Sequence, residues 1–189
     1  MREDRKYASV WAKALLQAQS FVILDTETTG LGSNAEICQI AVIDHEGKTL
    51  IDSLIQPTVE IEPGAIAIHG ITSAQVEQCP GFHLELVPIL QAIRNRDVVI
   101  YNAEFDLKML RQSARPYGIW LAFPTSDRCQ CRIFTNGGSI HCAMQWYSQW
   151  VGEWNDYHQD YKWQRLPGGD HSALGVCKAT LEVIRRMAE

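Results

Sequence analysis

The chain has 189 residues, a formal net charge of −5, and 46% hydrophobic and 21% charged residues. This length is enough for one domain with a substantial core, and the composition is that of a globular protein. No run approaches the roughly 18 apolar residues of a membrane span, and the charged N-terminus lacks the apolar stretch of a secretory signal. The acidic balance disfavours binding of nucleic acid through bulk charge alone. We therefore expect a cytoplasmic protein without a membrane segment.

Hydrophobic periodicity, turn residues and capping residues predict the elements in chain order. They are a helix over 5–18, a buried strand over 21–24, a hairpin of 36–44 with 48–56, short helices over 64–69 and 73–77, a helix over 82–94, a strand over 97–101, a helix over 104–115, a short strand within 123–128, a helix over 139–151, an irregular or hairpin-like segment over 154–169 and a last helix over 171–187. Ser73 is the expected N-cap of its helix, and Pro88 is expected to kink the helix that contains it. The order predicts one α/β domain with a mixed sheet.

Two carboxylates, Asp25 and Glu27, directly follow the apolar run over residues 21–24. Side chains alternate along a strand, so these two point to the same face. Crowded carboxylates repel each other unless one is protonated or a cation neutralises them. Mg²⁺ and Mn²⁺ prefer oxygen ligands. The pattern therefore predicts a divalent metal site at the end of the first strand.

Three further segments, taken together with Asp25 and Glu27, carry a resemblance to a known family. Residues 101–106 read Tyr-Asn-Ala-Glu-Phe-Asp, residues 168–174 read Gly-Gly-Asp-His-Ser-Ala-Leu, and residues 68–72 read Ile-His-Gly-Ile-Thr. In this combination the chain resembles the DEDDh 3′–5′ exonucleases, a DnaQ-like group that includes polymerase proofreading subunits. The resemblance runs from about residue 20 to the C-terminus. It implies a ribonuclease H-like fold, with a mixed five-stranded sheet flanked by helices. Residues 1–189 would then form a single exonuclease domain, with 1–19 as an N-terminal helical extension.

The resemblance also implies a mechanism with two Mg²⁺ or Mn²⁺ ions and a role for each motif residue. Asp25 would contact both ions, Glu27 would bind the first ion and position the attacking water, and Asp106 would support the second. His171 would be the general base, since a pKa near 6.5 suits proton transfer at neutral pH. The glycines before His171 would let it swing towards substrate. The substrate would be the 3′ end of single-stranded DNA or RNA, with a polymerase or a repair or processing protein as a further partner.

Residues that flank these motifs are the candidate substrate contacts. In the family, the segment after the first motif and the residues around the histidine of the 68–72 segment approach the 3′-terminal nucleotide. The residues assigned to substrate binding are Thr28, Thr29, Leu31, His69, Asn102 and Phe105. Leu31 is the apolar member that would wedge against the last base.

One position departs from the family pattern. In the family, an aspartate five residues after the histidine completes the metal site, whereas here that position is Val176. Valine offers no ligand, so we expect strongly reduced or absent activity. Three explanations stay open: an inactivating substitution, a degenerate member that binds nucleic acid without cutting it, or replacement by another carboxylate, with Asp170 the nearest.

Three other patterns receive structural interpretations. Lys108, Arg111 and Arg115 share one helix face, which is a solvated face or a phosphate-binding stripe. Most aromatic residues of 146–163 are assigned to packing, although Tyr157, Tyr161 or Trp163 could line the route to the site. Cys129, Cys131, His141 and Cys142 could be zinc ligands, but Cys-x-Cys spacing fits a structural zinc site poorly, and buried or incidental thiols are the preferred interpretation. The sequence leaves open the choice between DNA and RNA, the pathway and the oligomeric state.

Overall fold

The structure, a computed structural model, describes residues 3–121, 130–132 and 138–189, the short middle range by its backbone alone. Its helices are α1 (Glu3–Ala18), α2 (Pro63–His69), α3 (Ser73–Val76), α4 (Phe82–Ile93), α5 (Ala103–Ala114), α6 (Ala143–Val151) and α7 (Ala173–Met187). Its strands are β1 (Phe21–Thr28), β2 (Ile37–Asp44), β3 (Thr49–Leu54), β4 (Asp97–Ile100), β5 (Gln130–Arg132), β6 (Ser139–Cys142), β7 (Trp154–Asn155) and β8 (Asp160–Tyr161). A short 3₁₀ turn, Arg115–Tyr117, follows α5.

The main sheet is mixed, as predicted. Its strand order is β3-β2-β1-β4-β6-β5. Strands β1, β4 and β6 run parallel, and β2, β3 and β5 pair with their neighbours antiparallel. Five of these strands form the expected mixed sheet with helices beside it, and the three-residue β5 extends its edge. The parallel strands therefore present their carboxyl ends at one edge of the sheet.

Alternation along β1 directs its side chains to two different helix layers. Leu24 lies among side chains of α4 and α5, whereas the backbone of Ile23 contacts the Cys177 thiol of α7. Phe21, Val22, Ile23 and Leu24 are all at most 1% exposed, which explains why this run is apolar on both faces. Because the period is two, Asp25 and Glu27 continue the face that meets α7, and Thr26 continues the face that meets α5.

The first helix packs mainly on other helices and contacts the sheet through Trp11, whose indole N–H donates to His141 of β6. Ala8, Ala12 and Leu15 are buried, and α1 packs against α6 and α7. The indole of Trp11 stacks on Trp146 at 5.1 Å between ring centroids. None of the helices in the described ranges is long and apolar enough to cross a membrane.

Two sequence predictions are wrong, and one falls on residues that are not described. Residues 139–142 form strand β6 instead of the first turn of a helix, because Ile140 and Cys142 alternate into the core beside β4. A short apolar stretch of this kind fits either period until its partner strand is known. The N-cap of α3 is Thr72, which forms a capping box with Gln75, so Ser73 lies inside the helix. The strand predicted within 123–128 lies outside the described ranges.

Candidate active site

The motif residues meet at the carboxyl edge of the parallel strands. Asp25 and Glu27 end β1, Asn102 precedes α5 directly after β4, and Asp106 lies in the first turns of α5. A register shift between Glu27 and Thr28 interrupts the pairing of β1 with β2. Such irregularities change the direction of side chains at sheet edges. The topology thus brings together two motifs that lie about 80 residues apart in the sequence.

An open cavity of about 400 Å³ lies at this edge. Its walls contain the three motif carboxylates, His171 and Val176, together with other residues from β1, α5, α6 and the segment before α7. The full lining is Asp25, Thr26, Glu27, Tyr101, Asn102, Phe105, Asp106, Met144, Gln164, Arg165, Leu166, Gly169, His171 and Val176. Residues from both ends of the chain therefore surround one space large enough for part of a nucleotide.

The three carboxylates are crowded and poorly hydrated. Asp25 and Asp106 are only 8% and 3% exposed. Burial, and then the charges of Asp106 and Glu27, raise the pKa of Asp25 well above its ordinary value. Burial and the charge of Asp106 raise the pKa of Glu27 to about 7. Burial also raises the pKa of Asp106 to about 7, although the Thr26 hydroxyl donates a 2.7 Å hydrogen bond to it.

This donor set fits a hard divalent cation chemically. No cationic side chain in the described ranges forms an ion pair with the three carboxylates, and oxygen-rich sites suit Mg²⁺ and Mn²⁺. In the same ranges, no three Asp, Glu, His or Cys side chains are already gathered closely enough to hold an ion. A cation would therefore have to draw the carboxylates together, which would also lower their raised pKa values.

His171 lies in an exposed turn directly before α7. Its backbone has a φ of 59°, a left-handed conformation that non-glycine residues adopt with some strain. Two hydrogen bonds hold the following turn: the backbone N–H and the hydroxyl of Ser172 both donate to Asp170, at 3.2 and 2.8 Å. Ser172 in turn caps α7 by accepting from the N–H of Gly175.

Gly175 provides the space that this turn needs. A Cβ atom at this position would lie 1.7 Å from a carboxylate oxygen of Asp170. The Asp170 side chain thus packs against the backbone of α7, one residue before Val176. Gly169 differs, because a Cβ there would make only ordinary contacts, at 3.7 Å and beyond. The absence of a side chain at Gly175 therefore leaves room for the Asp170 carboxylate, which accepts the hydrogen bonds of Ser172 beside His171.

Val176 directs an apolar side chain into the same cavity as the carboxylates. Its place in the first turns of α7 is set by the bond from its N–H to the carbonyl of Ser172. Asp170 does not line the cavity, although its charge contributes to the raised pKa of Glu27. The hydrogen bonds that Asp170 accepts from Ser172 lower its pKa. This carboxylate therefore stabilises the turn before α7.

Five of the six residues assigned to substrate binding fall into three groups, and the sixth, His69, belongs to the 68–72 segment. Asn102 and Phe105 line the cavity, and Leu31 projects into solvent with 76% of its surface exposed. Thr28 and Thr29 are buried, and their hydroxyls hold the turn after β1. The Thr28 hydroxyl donates to the carbonyl of Gly30, and that of Thr29 accepts from the N–H of Glu36.

His69 links the 68–72 segment to the end of β1 by hydrogen bonds. Its Nδ1 accepts from the N–H of Ile71 at 3.0 Å, and its Nε2 lies 3.1 Å from the carbonyl oxygen of Thr28. Because Nδ1 accepts, the proton resides on Nε2, which donates to Thr28. This arrangement supports the turn that carries Leu31. The roles of all six residues towards substrate stay predictions.

The cavity wall that precedes α7 was not predicted from the sequence. Gln164, Arg165 and Leu166 line the cavity there, and Met144 of α6 lines it as well. These four residues belong to none of the motifs, and their proximity to the carboxylates results from long-range packing. The alternation of basic and aromatic residues over 161–165 was the one local signal that could have drawn attention to Arg165.

The zinc alternative receives no support from the described residues. His141 accepts a hydrogen bond from the indole N–H of Trp11, at 3.3 Å, and lies 3.6 Å from the Asp97 carboxylate. The Cys142 thiol is buried against the carbonyl of Tyr101. Cys129 lies outside the described ranges, and nothing is described of the side chain of Cys131.

Comparisons with known proteins point to one family. The family model described as Exonuclease, of the RNase T type, matches residues 22–134. An uncharacterised exonuclease CP81 of Escherichia phage 186 is 34% identical over 179 residues, which are 89% of this chain and 88% of the phage protein. A DNA polymerase III epsilon subunit of Buchnera aphidicola (subspecies Baizongia pistaciae) is 33% identical over 96 residues. That match covers 46% of this chain and 39% of the subunit.

Solved structures support the same fold. Exonuclease X in complex with 5′-overhanging duplex DNA aligns with a TM-score of 0.55 and 27% identity, over 89% of this chain and 92% of that one. Escherichia coli exonuclease I in complex with an oligonucleotide aligns with a TM-score of 0.61 and 18% identity, over 89% of this chain and 40% of that one. Another structure of the E. coli enzyme with single-stranded DNA contains a zinc ion.

Proposed function

The chain belongs to the exonuclease family, and from this premise we propose that it removes nucleotides from the 3′ end of single-stranded DNA or RNA with the help of two divalent cations. The observation that carries the proposal is the convergence of Asp25, Glu27, Asp106 and His171 on one cavity. Carboxylates buried together without a cationic partner in the described ranges are costly for a fold. A catalytic role for the cluster would account for that cost.

Each residue would then have a defined task. Asp25, Glu27 and Asp106 would hold Mg²⁺ or Mn²⁺ through their oxygens. Cations bound there supply an activated water and neutralise charge on the phosphate. His171 would accept the proton of the attacking water as a general base. Asn102 and Phe105 line the cavity beside the carboxylates and would position the terminal nucleotide, with Leu31 wedging against its base.

Val176 supports a second candidate function. Its apolar side chain faces the carboxylates at the position where the family has an aspartate. The loss of a charged ligand weakens cation binding, so the chain would have impaired cleavage or would bind nucleic acid without cutting it. The polymerase relatives also suggest a polymerase as partner, and this suggestion stays a prediction, since the chain spans 39% of the epsilon subunit that it matches.

A single assay separates these candidates. A 5′-labelled single-stranded oligonucleotide is incubated with Mn²⁺ and the native chain, its Val176→Asp variant or its Asp25→Ala variant. We expect products shortened progressively from the 3′ end with Val176→Asp, weaker or no products with the native chain, and none with Asp25→Ala. If both the native chain and Val176→Asp are inactive while oligonucleotide still binds, the exonuclease proposal fails and the binding function replaces it.

A further inference from the structure

A second cavity is lined by residues that directly precede part of the active-site wall along the chain. It measures about 380 Å³ and lies on the β7–β8 hairpin, where it is lined by Asn155, His158, Asp160, Tyr161, Lys162 and Trp163. The next three residues along the chain, Gln164, Arg165 and Leu166, line the carboxylate cavity. Residues 161–166, which we term the connecting segment, therefore form one continuous wall past both spaces.

The connecting segment is fixed to the rest of the fold at several points. The hydroxyl of Tyr101, directly after β4, donates to the carbonyl of Gln164 at 2.7 Å. The N–H of Lys162 donates to the carbonyl of Glu153 at 2.8 Å, across the hairpin. The Tyr161 hydroxyl donates to the Asp4 carboxylate of α1. The path between the two cavities is thus set by sheet, hairpin and first helix together.

Two exposed side chains of the connecting segment, Trp163 and Arg165, suit the two parts of a nucleic acid, its aromatic bases and its anionic phosphates. Trp163 is 70% exposed, and none of the ring contacts among the described residues involves it. Arg165 is exposed at the wall of the carboxylate cavity, and within the described ranges it forms no ion pair with a carboxylate. Exposed indoles stack on unpaired bases regardless of sequence, and arginine binds phosphate.

We infer that the connecting segment is the substrate track, the surface along which single-stranded nucleic acid leads to the carboxylates. The strand whose 3′ end lies at the carboxylates passes Arg165, which binds a backbone phosphate next to the terminal nucleotide, and an upstream base stacks on Trp163 in the hairpin cavity. The inference rests on the proposed function and deepens it, because it names the side chains that hold the unpaired part of the substrate. Stacking on a single indole requires an unpaired base, so the track selects single strands over duplex.

Binding measured without cleavage tests this inference. Fluorescence anisotropy of 5′-labelled oligothymidylates in EDTA gives the affinity of the full chain for lengths from a dinucleotide upwards. We expect Trp163→Ala to lose about tenfold in affinity for long oligonucleotides, and Trp163→Phe to retain most of it. Neither variant should change affinity for the dinucleotide, which does not reach the hairpin. Arg165→Gln should weaken binding and reduce the salt dependence by about 0.7 in the log–log slope.

Matched variants exclude a general effect of surface substitution. Trp120 is 85% exposed and lines neither cavity, so Trp120→Ala should bind like the native chain. Arg94→Gln is the corresponding control for Arg165, since Arg94 is exposed at the end of α4. Thermal melting of each variant checks that the fold is retained.

The outcomes separate this inference from the function on which it rests. A native chain that binds no oligonucleotide of any length in EDTA contradicts the track, and the Mn²⁺ cleavage assay then decides separately on the proposed function. If the native chain binds, but Trp163→Ala and Arg165→Gln bind equally well at every length and salt concentration, the inference of a substrate track is wrong and the proposed function stands. A length-dependent loss in Trp163→Ala that Trp120→Ala does not share supports the track.

Discussion

The cavity has two walls built in different ways. The sheet edge supplies Asp25 and Glu27 from a buried strand, and Asp106 from a helix held by the Thr26 hydroxyl. The opposite wall, over residues 164–171, which we term the surface wall, has no main-sheet strand and is held by the hydrogen bond of Tyr101 and by those of Ser172 with Asp170. The sheet edge thus holds three carboxylates on core elements, whereas the surface wall presents His171 and Arg165 from a segment outside the main sheet.

The largest effect should come from the residue where the two walls meet. Val176→Asp would add a fourth carboxylate to the sheet-edge cluster. We expect a gain of at least about 100-fold in Mn²⁺-dependent cleavage, accompanied by tighter Mn²⁺ binding in calorimetric titration. Val176→Asn, which adds a polar group of similar size without charge, is the matched control and should gain much less. An unchanged Mn²⁺ affinity in Val176→Asp would show that position 176 does not reach the metal site.

The next prediction concerns His171, the proposed general base on the surface wall. His171→Asn should reduce the cleavage rate by about 100-fold or more, measured in whichever of the native or Val176→Asp chains is active. Asparagine tolerates the left-handed backbone at this position better than most residues, so the turn should persist and the melting temperature should remain near that of the parent. A rate within a few-fold of the parent would remove His171 from the mechanism.

A smaller loss should follow from disturbing the support of His171 without touching it. Gly175→Ala places a methyl group where the Asp170 carboxylate packs, so that side chain must move and its hydrogen bonds with Ser172 must change. We expect cleavage to fall by about tenfold, while the helix gains up to about 1 kcal/mol of intrinsic propensity. Gly64→Ala, in helix α2, has open space for its methyl group and is the control. Equal activity in the two alanine variants would show that the packing of Asp170 on Gly175 does not position His171.

The smallest effect concerns stability as a function of pH. The folded-state pKa values of Glu27 and Asp106, both about 7, lie above those of the unfolded chain. Their contribution to stability is therefore complete below the unfolded values and is lost as pH rises through about 7. In EDTA, the melting temperature should decrease by a few degrees between about pH 5 and pH 8. Mn²⁺ should reverse this decrease, because it neutralises the ionised carboxylates.

The sheet-edge wall and His171 could be predicted from sequence, whereas Gln164, Arg165 and Leu166 of the surface wall could not. Alternation in β1 sufficed to place Asp25 and Glu27 on one face, since that rule is local. Residues 139–142 were misassigned to a helix because their strand character depends on pairing with β4. Arg165 and Gln164 reach the cavity through the hydrogen bond of Tyr101, which spans 63 positions. No local pattern encodes a contact of that range.

Thermal melting at about pH 8 tests whether the buried carboxylates form a cation site, and it does so independently of activity. Melting temperatures are compared with and without Mn²⁺ for the native chain, for Asp25→Asn and for Asp52→Asn, an exposed control on β3. We expect Mn²⁺ to stabilise the native and Asp52→Asn chains. Asp25→Asn should gain little from Mn²⁺, because it lacks one of the three carboxylates that would hold the ion. Equal stabilisation of Asp25→Asn and the native chain by Mn²⁺ would contradict the account.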